Sequence, residues 1–221
     1  MTDDYETIIY EKDGRRARVT FNRPRILNAV AMTGAREFDR LAAEIADDTD
    51  IRIVTISGAG RAFSTGIDLK DLAAGLIDDS YFDLWDRTLR RFETMDKLVV
   101  CLIHGYALGG GLQLALAADI RVSTPSAKLG LPAIKEGLIP GLGTLRLARY
   151  IGLGRAKRLI ITGDMIDAAE GVSIEMQPGA ALLFLGSTLH AGGANRTRRP
   201  RRGMIVSYSL GWLKPYELPW L

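Results

Sequence analysis

Two glycine-rich segments carry the densest chemical signal in this 221-residue chain. GAGRAFSTGID, residues 58–68, follows the largely apolar run IRIVTIS at 51–57, and GYALGGG, residues 105–111, follows LVVCLI at 98–103. A glycine at a strand end lets the backbone approach a ligand closely and present its N–H groups. At a helix N-terminus those groups have no intrahelical acceptor and point outward. Two of them, converging from different turns, can grip one oxygen that becomes negative during a reaction. The same glycines also serve tight packing with no ligand at all, and on spacing alone both readings stand. Neither segment is a G-x-x-x-x-G-K-[ST] phosphate loop, and neither fits the G-x-G-x-x-G dinucleotide fingerprint.

The elements that must position these turns follow from periodicity. TIIYE at 7–11 and RARVTF at 16–21 flank Asp13-Gly14 and predict a hairpin. Residues 33–46 carry Phe38, Leu41 and Ile45 at helical spacing, and residues 80–95 do the same through Phe82, Trp85, Leu89 and Phe92. The runs 51–57 and 98–103 read as buried strands. A helix over 111–118, short strands in IRVST and AKLG, and helices near 143–150 and 154–161 complete this part. Alternation of strand and helix predicts an α/β architecture with right-handed crossovers.

Composition bounds the class. Hydrophobic residues make up 47% and charged residues 25%, enough apolar material for a core and too much for wholesale disorder. Cys101 is the single cysteine, which excludes an intrachain disulfide framework and predicts a reducing, cytoplasmic setting. The acidic start MTDDYETIIYEKDG has no apolar core and is not read as a signal peptide. Leu98 to Ala118 is long enough to span a bilayer, yet its glycines, His104 and Gln113 suit strand, turn and short helix, so no membrane partner is expected. Residues 1–170 hold one His and one Cys, too few for a typical zinc site; His104 reads as a hydrogen-bonded structural residue.

The formal charge of +3 is uneven: residues 171–221 hold six Lys/Arg against two Asp/Glu, leaving 1–170 at −1. Five of the six are Arg196, Arg198, Arg199, Arg201 and Arg202. That run lacks interleaved aromatics, so a solvated loop is expected there rather than a nucleic-acid site. The texture also changes after Glu170, to apolar runs separated by turns, which predicts two or three antiparallel strands.

With those residues in hand, positions 5–170 resemble the enoyl-CoA hydratase/isomerase (crotonase) family. The matching stretches are NRPRILNAV at 22–30, GRAFSTGIDL at 60–69, HGYALGGGLQLALAADIRV at 104–122, KLGLPAIKEGLIPGLGT at 128–144 and GRAKRLIITGDMIDAAE at 154–170. The resemblance implies a spiral of ββα units, an acyl-CoA thioester ligand, no cofactor beyond the coenzyme A of the substrate, and a homo-oligomer built on trimers. It places the two oxyanion-binding N–H groups on Ile67 and Gly110. It puts Arg25, Leu27 and Ala29 at the coenzyme A entrance, and Ala62, Gly66, Asp68 and Leu69 along the pantetheine and adenine. Tyr106, Leu108, Gly109 and Pro132 fall among its substrate-lining positions.

The departures are equally specific. Hydratases of this family use two glutamates, and those positions here read Gln113 and Ala133, neither of which can act as a general base. Glu136, one turn beyond Ala133, is a substitute or a surface carboxylate; Tyr106 is a possible acid or a packing residue. The expected activity is therefore stabilisation of a thioester enolate, as a lyase or isomerase of fatty-acid type. The alternatives are a non-catalytic CoA-thioester-binding protein or a non-functional truncated fusion. Residues 171–221 do not continue the family pattern and instead resemble the C-terminal part of phytanoyl-CoA dioxygenase-like proteins, with His190 at the distal iron ligand and Arg201 at the 2-oxoglutarate arginine. The His-x-Asp pair that iron would also need is absent, which excludes dioxygenase activity. Two parts are expected: a truncated crotonase-like core over 1–170 and a short β-hairpin-like appendage over 171–221.

Overall fold

The computed structural model describes residues 5–168. The expected appendage over 171–221, the seam at 170–171, His190 and Arg201 lie outside the described residues.

Period-2 alternation builds the first two strands, β1 (Ile8–Asp13) and β2 (Arg16–Phe21), paired antiparallel with Asp13 opposite Arg16 across the Gly14-Arg15 turn. Ala17, Val19 and Phe21 of β2 point into the core. β3 (Ile53–Gly58) and β4 (Leu98–Ile103) then add in parallel, and β6 (Ile120–Ser123) closes a five-stranded sheet of order β1-β2-β3-β4-β6. A second sheet has the order β5-β7-β8, from Tyr106–Leu108, Lys128–Gly130 and Met165–Asp167. The α/β expectation and the crotonase-like arrangement hold over the described residues.

The helices cover the larger sheet through one apolar stripe each. α1 (Met32–Asp47) buries Phe38, Leu41, Ala42 and Ile45, spaced three to four residues apart. A short α2 (Leu69–Ala73) precedes α3 (Ser80–Thr94), which buries Tyr81, Trp85, Leu89 and Phe92. α1 and α3 pack on each other, and Phe38 meets the Trp85 ring edge-on at 5.7 Å between centroids. α4 (Gly110–Ala117) carries Gln113 as its one polar side chain and is buried from Gly111 to Ala117. α5 (Gly143–Ile151) and α6 (Leu153–Thr162) pack together and leave Leu145, Leu153 and Ile161 exposed. Among the described residues no helix is long and apolar enough to cross a membrane. The 98–118 stretch is two strands followed by a helix.

Three elements differ from the periodicity reading. Residues 105–111 are not a plain turn, because Tyr106–Leu108 pair with β7. α2 and β8 are five and three residues long, too short to show a period.

One side chain ties the loops together. Asn28 is buried with φ at +57°, and its Nδ2 donates to the carbonyls of Ala59, Ala62 and Phe63 at 2.9, 2.7 and 3.2 Å. Its Oδ1 accepts from the Arg23 amide at 2.9 Å. Asparagine tolerates the left-handed conformation because its short side chain bonds locally. Asn28→Ala leaves three carbonyls without this donor and is expected to lower unfolding free energy by about 2–3 kcal/mol, read from denaturant titration.

Candidate active site

The two glycine segments meet backbone to backbone. The Phe63 amide donates to the His104 carbonyl at 2.9 Å, Ser64 to Tyr106 at 3.0 Å, and Leu108 back to Ser64 at 3.0 Å. At the tip, Gly66 has φ at +85°, and a β-carbon there would stand 2.6 Å from the Gly110 nitrogen and 2.8 Å from the Leu108 carbonyl oxygen. A β-carbon on Gly111 would overlap the Ser64 carbonyl. These glycines permit an approach that no side chain would allow, which is the packing reading of the turns.

The same segments carry two donors without partners. The Gly66 carbonyl accepts from Val30 at 2.7 Å, and the Asp68 amide donates to Val30 at 2.9 Å. Alternation along this bridge points the intervening Ile67 N–H away from Val30. Gly110 is the first residue of α4, where an amide has no intrahelical acceptor. Among the described residues neither the Ile67 nor the Gly110 N–H has a hydrogen-bond acceptor.

The other expected residues fall into distinct places. Arg25 and Leu27 lie on or just after the 3-10 turn Pro24–Ile26, and the Leu27 carbonyl accepts from Thr65 at 3.1 Å, so this loop borders the Gly58–Asp68 turn. Ala29 and Ala62 are buried, whereas Arg25 and Leu69 are exposed. Asp68 is 7% exposed and already committed: its carboxylate takes Arg23 Nη1 at 3.1 Å and caps α2 at the amides of Lys70 and Asp71. Leu108, Gly109 and Pro132 are half-buried. Tyr106 is exposed and not part of the core. His104 Nε2 donates to the Gly60 carbonyl at 3.0 Å, the structural role expected of it.

The acid/base positions divide. Gln113 sits one turn along α4, 8% exposed, its amide N–H bonded to the Gly109 carbonyl and its side chain without a hydrogen-bond partner among the described residues. Ala133 and Glu136 lie on the 3-10 turn Pro132–Glu136, and Glu136 is exposed. Two groups that periodicity marked only as helix residues also border the site. Trp85 is 4% exposed, and its indole Nε1 stands 3.1 Å from where a β-carbon of Gly110 would be, with no acceptor. Tyr81 stacks on it at 6.4 Å with an equally unpartnered hydroxyl, whose pKa burial pushes upward. An aromatic at core spacing carries no sequence mark for a free donor. Among the described residues no three His, Cys, Asp or Glu side chains are grouped to hold a metal.

Comparison with known proteins shows the family. The enoyl-CoA hydratase/isomerase family profile matches residues 12–175, and a phytanoyl-CoA dioxygenase (PhyH) profile matches residues 156–203. The chain is 37% identical over 175 residues to a short-chain-enoyl-CoA hydratase of Clostridium acetobutylicum, covering 77% of this chain and 67% of that protein. It is 39% identical over 167 residues to a probable enoyl-CoA hydratase of Mycobacterium bovis, covering 75% and 65%. Among solved structures, an enoyl-CoA hydratase from Bacillus anthracis superposes with a TM-score of 0.69 at 35% identity, covering 75% of this chain and 66% of that one. A putative enoyl-CoA hydratase from Streptomyces coelicolor gives 0.72 at 31% identity, covering 77% and 65%. The chain therefore belongs to the enoyl-CoA hydratase/isomerase family, and it spans about two thirds of the length of the relatives it matches.

Gly66→Ala tests the close approach. Gly75 has a similar φ of +71° but open space around it. Both alanine variants strain the backbone by about 1–2 kcal/mol, and only Gly66→Ala also forces the two turns apart. Its unfolding midpoint is expected to fall clearly below that of Gly75→Ala; equal midpoints would show that the turns do not constrain each other.

Proposed function

We propose that this chain binds an acyl-CoA or enoyl-CoA thioester and stabilises the enolate form of its carbonyl with the N–H groups of Ile67 and Gly110. The observation that carries this reading is the pair of acceptor-free amides on touching turns, in a chain of this family. When charge moves onto the thioester oxygen, both N–H bonds strengthen without reorganisation, and each such donor contributes about 3 kcal/mol to the transition state. A backbone donor tolerates any side chain, so isoleucine at position 67 suits the role.

The loop holding Arg25, Leu27 and Ala29 supports a coenzyme A entrance beside the Gly58–Asp68 turn, with Leu69 at its exposed edge. Asp68 serves in this reading by fixing α2 and Arg23 rather than by touching ligand. The reading needs no cofactor beyond the coenzyme A that the substrate brings, and it places the reaction among lyases or isomerases of acyl-CoA metabolism in the cytoplasm. A homo-oligomer, a trimer or a dimer of trimers, accompanies it. The exposed Leu145, Leu153 and Ile161 support an assembly that covers apolar surface. Light scattering on the purified chain is expected to give a multiple of the 24.2 kDa chain mass; a monomer contradicts the assembly.

Gln113 and Ala133 favour a second reading, a CoA-thioester-binding protein without turnover, because neither side chain can move a proton. Calorimetry with crotonyl-CoA and a hydration assay separate the two. Binding with turnover, lowered about 10²–10³-fold in Gly110→Pro, is the expected result. Proline suits the first helical position while removing its N–H, and circular dichroism checks that the variant folds. No binding at millimolar thioester by a folded sample overturns the reading.

A further inference from the structure

Gly141, just before α5, faces α3 and α4 across room for one further carbon. A β-carbon placed on it would lie 3.8 Å from Gln113 Oε1 and 3.8 and 3.9 Å from the two carboxylate oxygens of Asp86, its nearest neighbours outside the adjoining residues. The amide and the carboxylate therefore border the same space. Asp86 immediately follows Trp85, whose indole nitrogen borders Gly110, and Gln113 lies one turn from Gly110 on α4. Trp85 and Gln113 thus link the Gly141 neighbourhood to Gly110 along α3 and α4.

Asp86 is an unusual carboxylate for a helix surface. It is half-buried, yet among the described residues it has no hydrogen bond and no ion pair. On the long helices α1 and α3 the other half-buried carboxylates are engaged: Glu37 by Glu6 and Thr7, Asp39 by Arg87 and Arg91, and Glu93 by Arg146. Burial holds the Asp86 carboxyl above the usual carboxylate range; Arg146 on α5 opposes this and Asp83 on its own helix reinforces it. A carboxylate that is partly desolvated and unpaired costs stability, and such groups occur where a proton is moved.

We propose that Asp86 is the proton-transfer group of this site, acting on a water held between its carboxylate and the Gln113 amide. The assignment rests on the thioester reading above and supplies the base that Gln113 and Ala133 lack. Asp86 takes a proton from the water as its oxygen bonds to Cβ of an enoyl-CoA. The Cα–Cβ electron pair moves through the thioester onto its oxygen, where the Ile67 and Gly110 N–H groups hold the enolate. Protonated Asp86 then delivers that proton to Cα, the enolate collapses, and the product is a 3-hydroxyacyl-CoA with Asp86 ionised again. Gln113 accepts and donates hydrogen bonds and so orients the water without titrating. Glu136, exposed on its 3-10 turn, takes no part.

The test is Asp86→Asn in the full chain. Crotonyl-CoA hydration is followed by loss of the enoyl-thioester absorbance, and butyryl-CoA, which cannot be hydrated, reports binding by calorimetry. The expected result is a kcat lowered about 10²–10⁴-fold with the butyryl-CoA dissociation constant unchanged. The thermal midpoint should be equal or higher, because the substitution removes an unpaired, desolvated charge. A structural role would lower that midpoint. Asp86→Ala should regain part of its turnover with added formate, which restores a carboxylate to the space. Wild-type turnover in Asp86→Asn overturns the assignment, as does a wild-type chain that binds butyryl-CoA without hydrating crotonyl-CoA. Failure of the wild-type chain to bind butyryl-CoA overturns the thioester reading itself, so the two failures are told apart.

Discussion

The approach of Gly66 to the Gly110 nitrogen is the constraint on which the rest of this site depends. No residue with a β-carbon can stand there, since that atom would lie 2.6 Å from the nitrogen. Everything nearby serves the approach. β3 and β4 run in parallel and deliver their C-terminal ends side by side, so the loops leaving them meet. Hydrogen bonds among Phe63, Ser64, His104, Tyr106 and Leu108 then join the loops as strands would be joined, and the partly ladder-like result satisfies buried backbone groups. The amides of Ile67 and Gly110 are among those without an acceptor in the described residues. Under the proposed function, these two donors are the ones that receive the thioester oxygen.

The surroundings extend that logic. Asn28 crosses under the first turn and holds three of its carbonyls, so the turn cannot relax away from the second. Trp85 fills the floor with an unpartnered indole N–H, and the next residue, Asp86, borders the space that Gly141 leaves open. The polar groups without partners in this part of the molecule, Tyr81, Trp85, Asp86 and Gln113, lie on α3 and α4 close to those two amides. Elsewhere on α1 and α3 several charged groups are paired, as in the fork from Arg87 Nε and Nη2 to Asp39 at 2.9 and 2.7 Å. Among the described residues Arg121 Nε and Arg146 Nη1 are also without partners, and of the whole set Trp85 Nε1 lies directly against Gly110.

Much of this was legible in the sequence. Phe38, Leu41 and Ile45 at helical spacing, the Asp13-Gly14 turn and the two apolar runs before the glycine segments each report a local rule that tertiary packing did not override. The roles expected of Ile67 and Gly110 come from the family resemblance, and the nearness of Gly66 to the Gly110 nitrogen is a matter of strand order. What could not be read was whatever depends on a side chain's environment. Trp85 carries the mark of a core aromatic and is one, yet its nitrogen faces the site. Asp86 looks like any solvated charge on an amphipathic helix; only the packing of α3 against α4 and the glycine at 141 reveal its position. β5, α2 and β8 escaped notice because three to five residues are too few to show a period.

The most direct test of the central claim is infrared difference spectroscopy of a carbonyl-labelled crotonyl-CoA bound to the chain. Two donors on the thioester oxygen polarise its C=O bond, so the stretch is expected to move to lower frequency than in water and to return part of the way in Gly110→Pro. A bound thioester whose carbonyl frequency matches that of the free ligand would contradict the oxyanion role of Ile67 and Gly110.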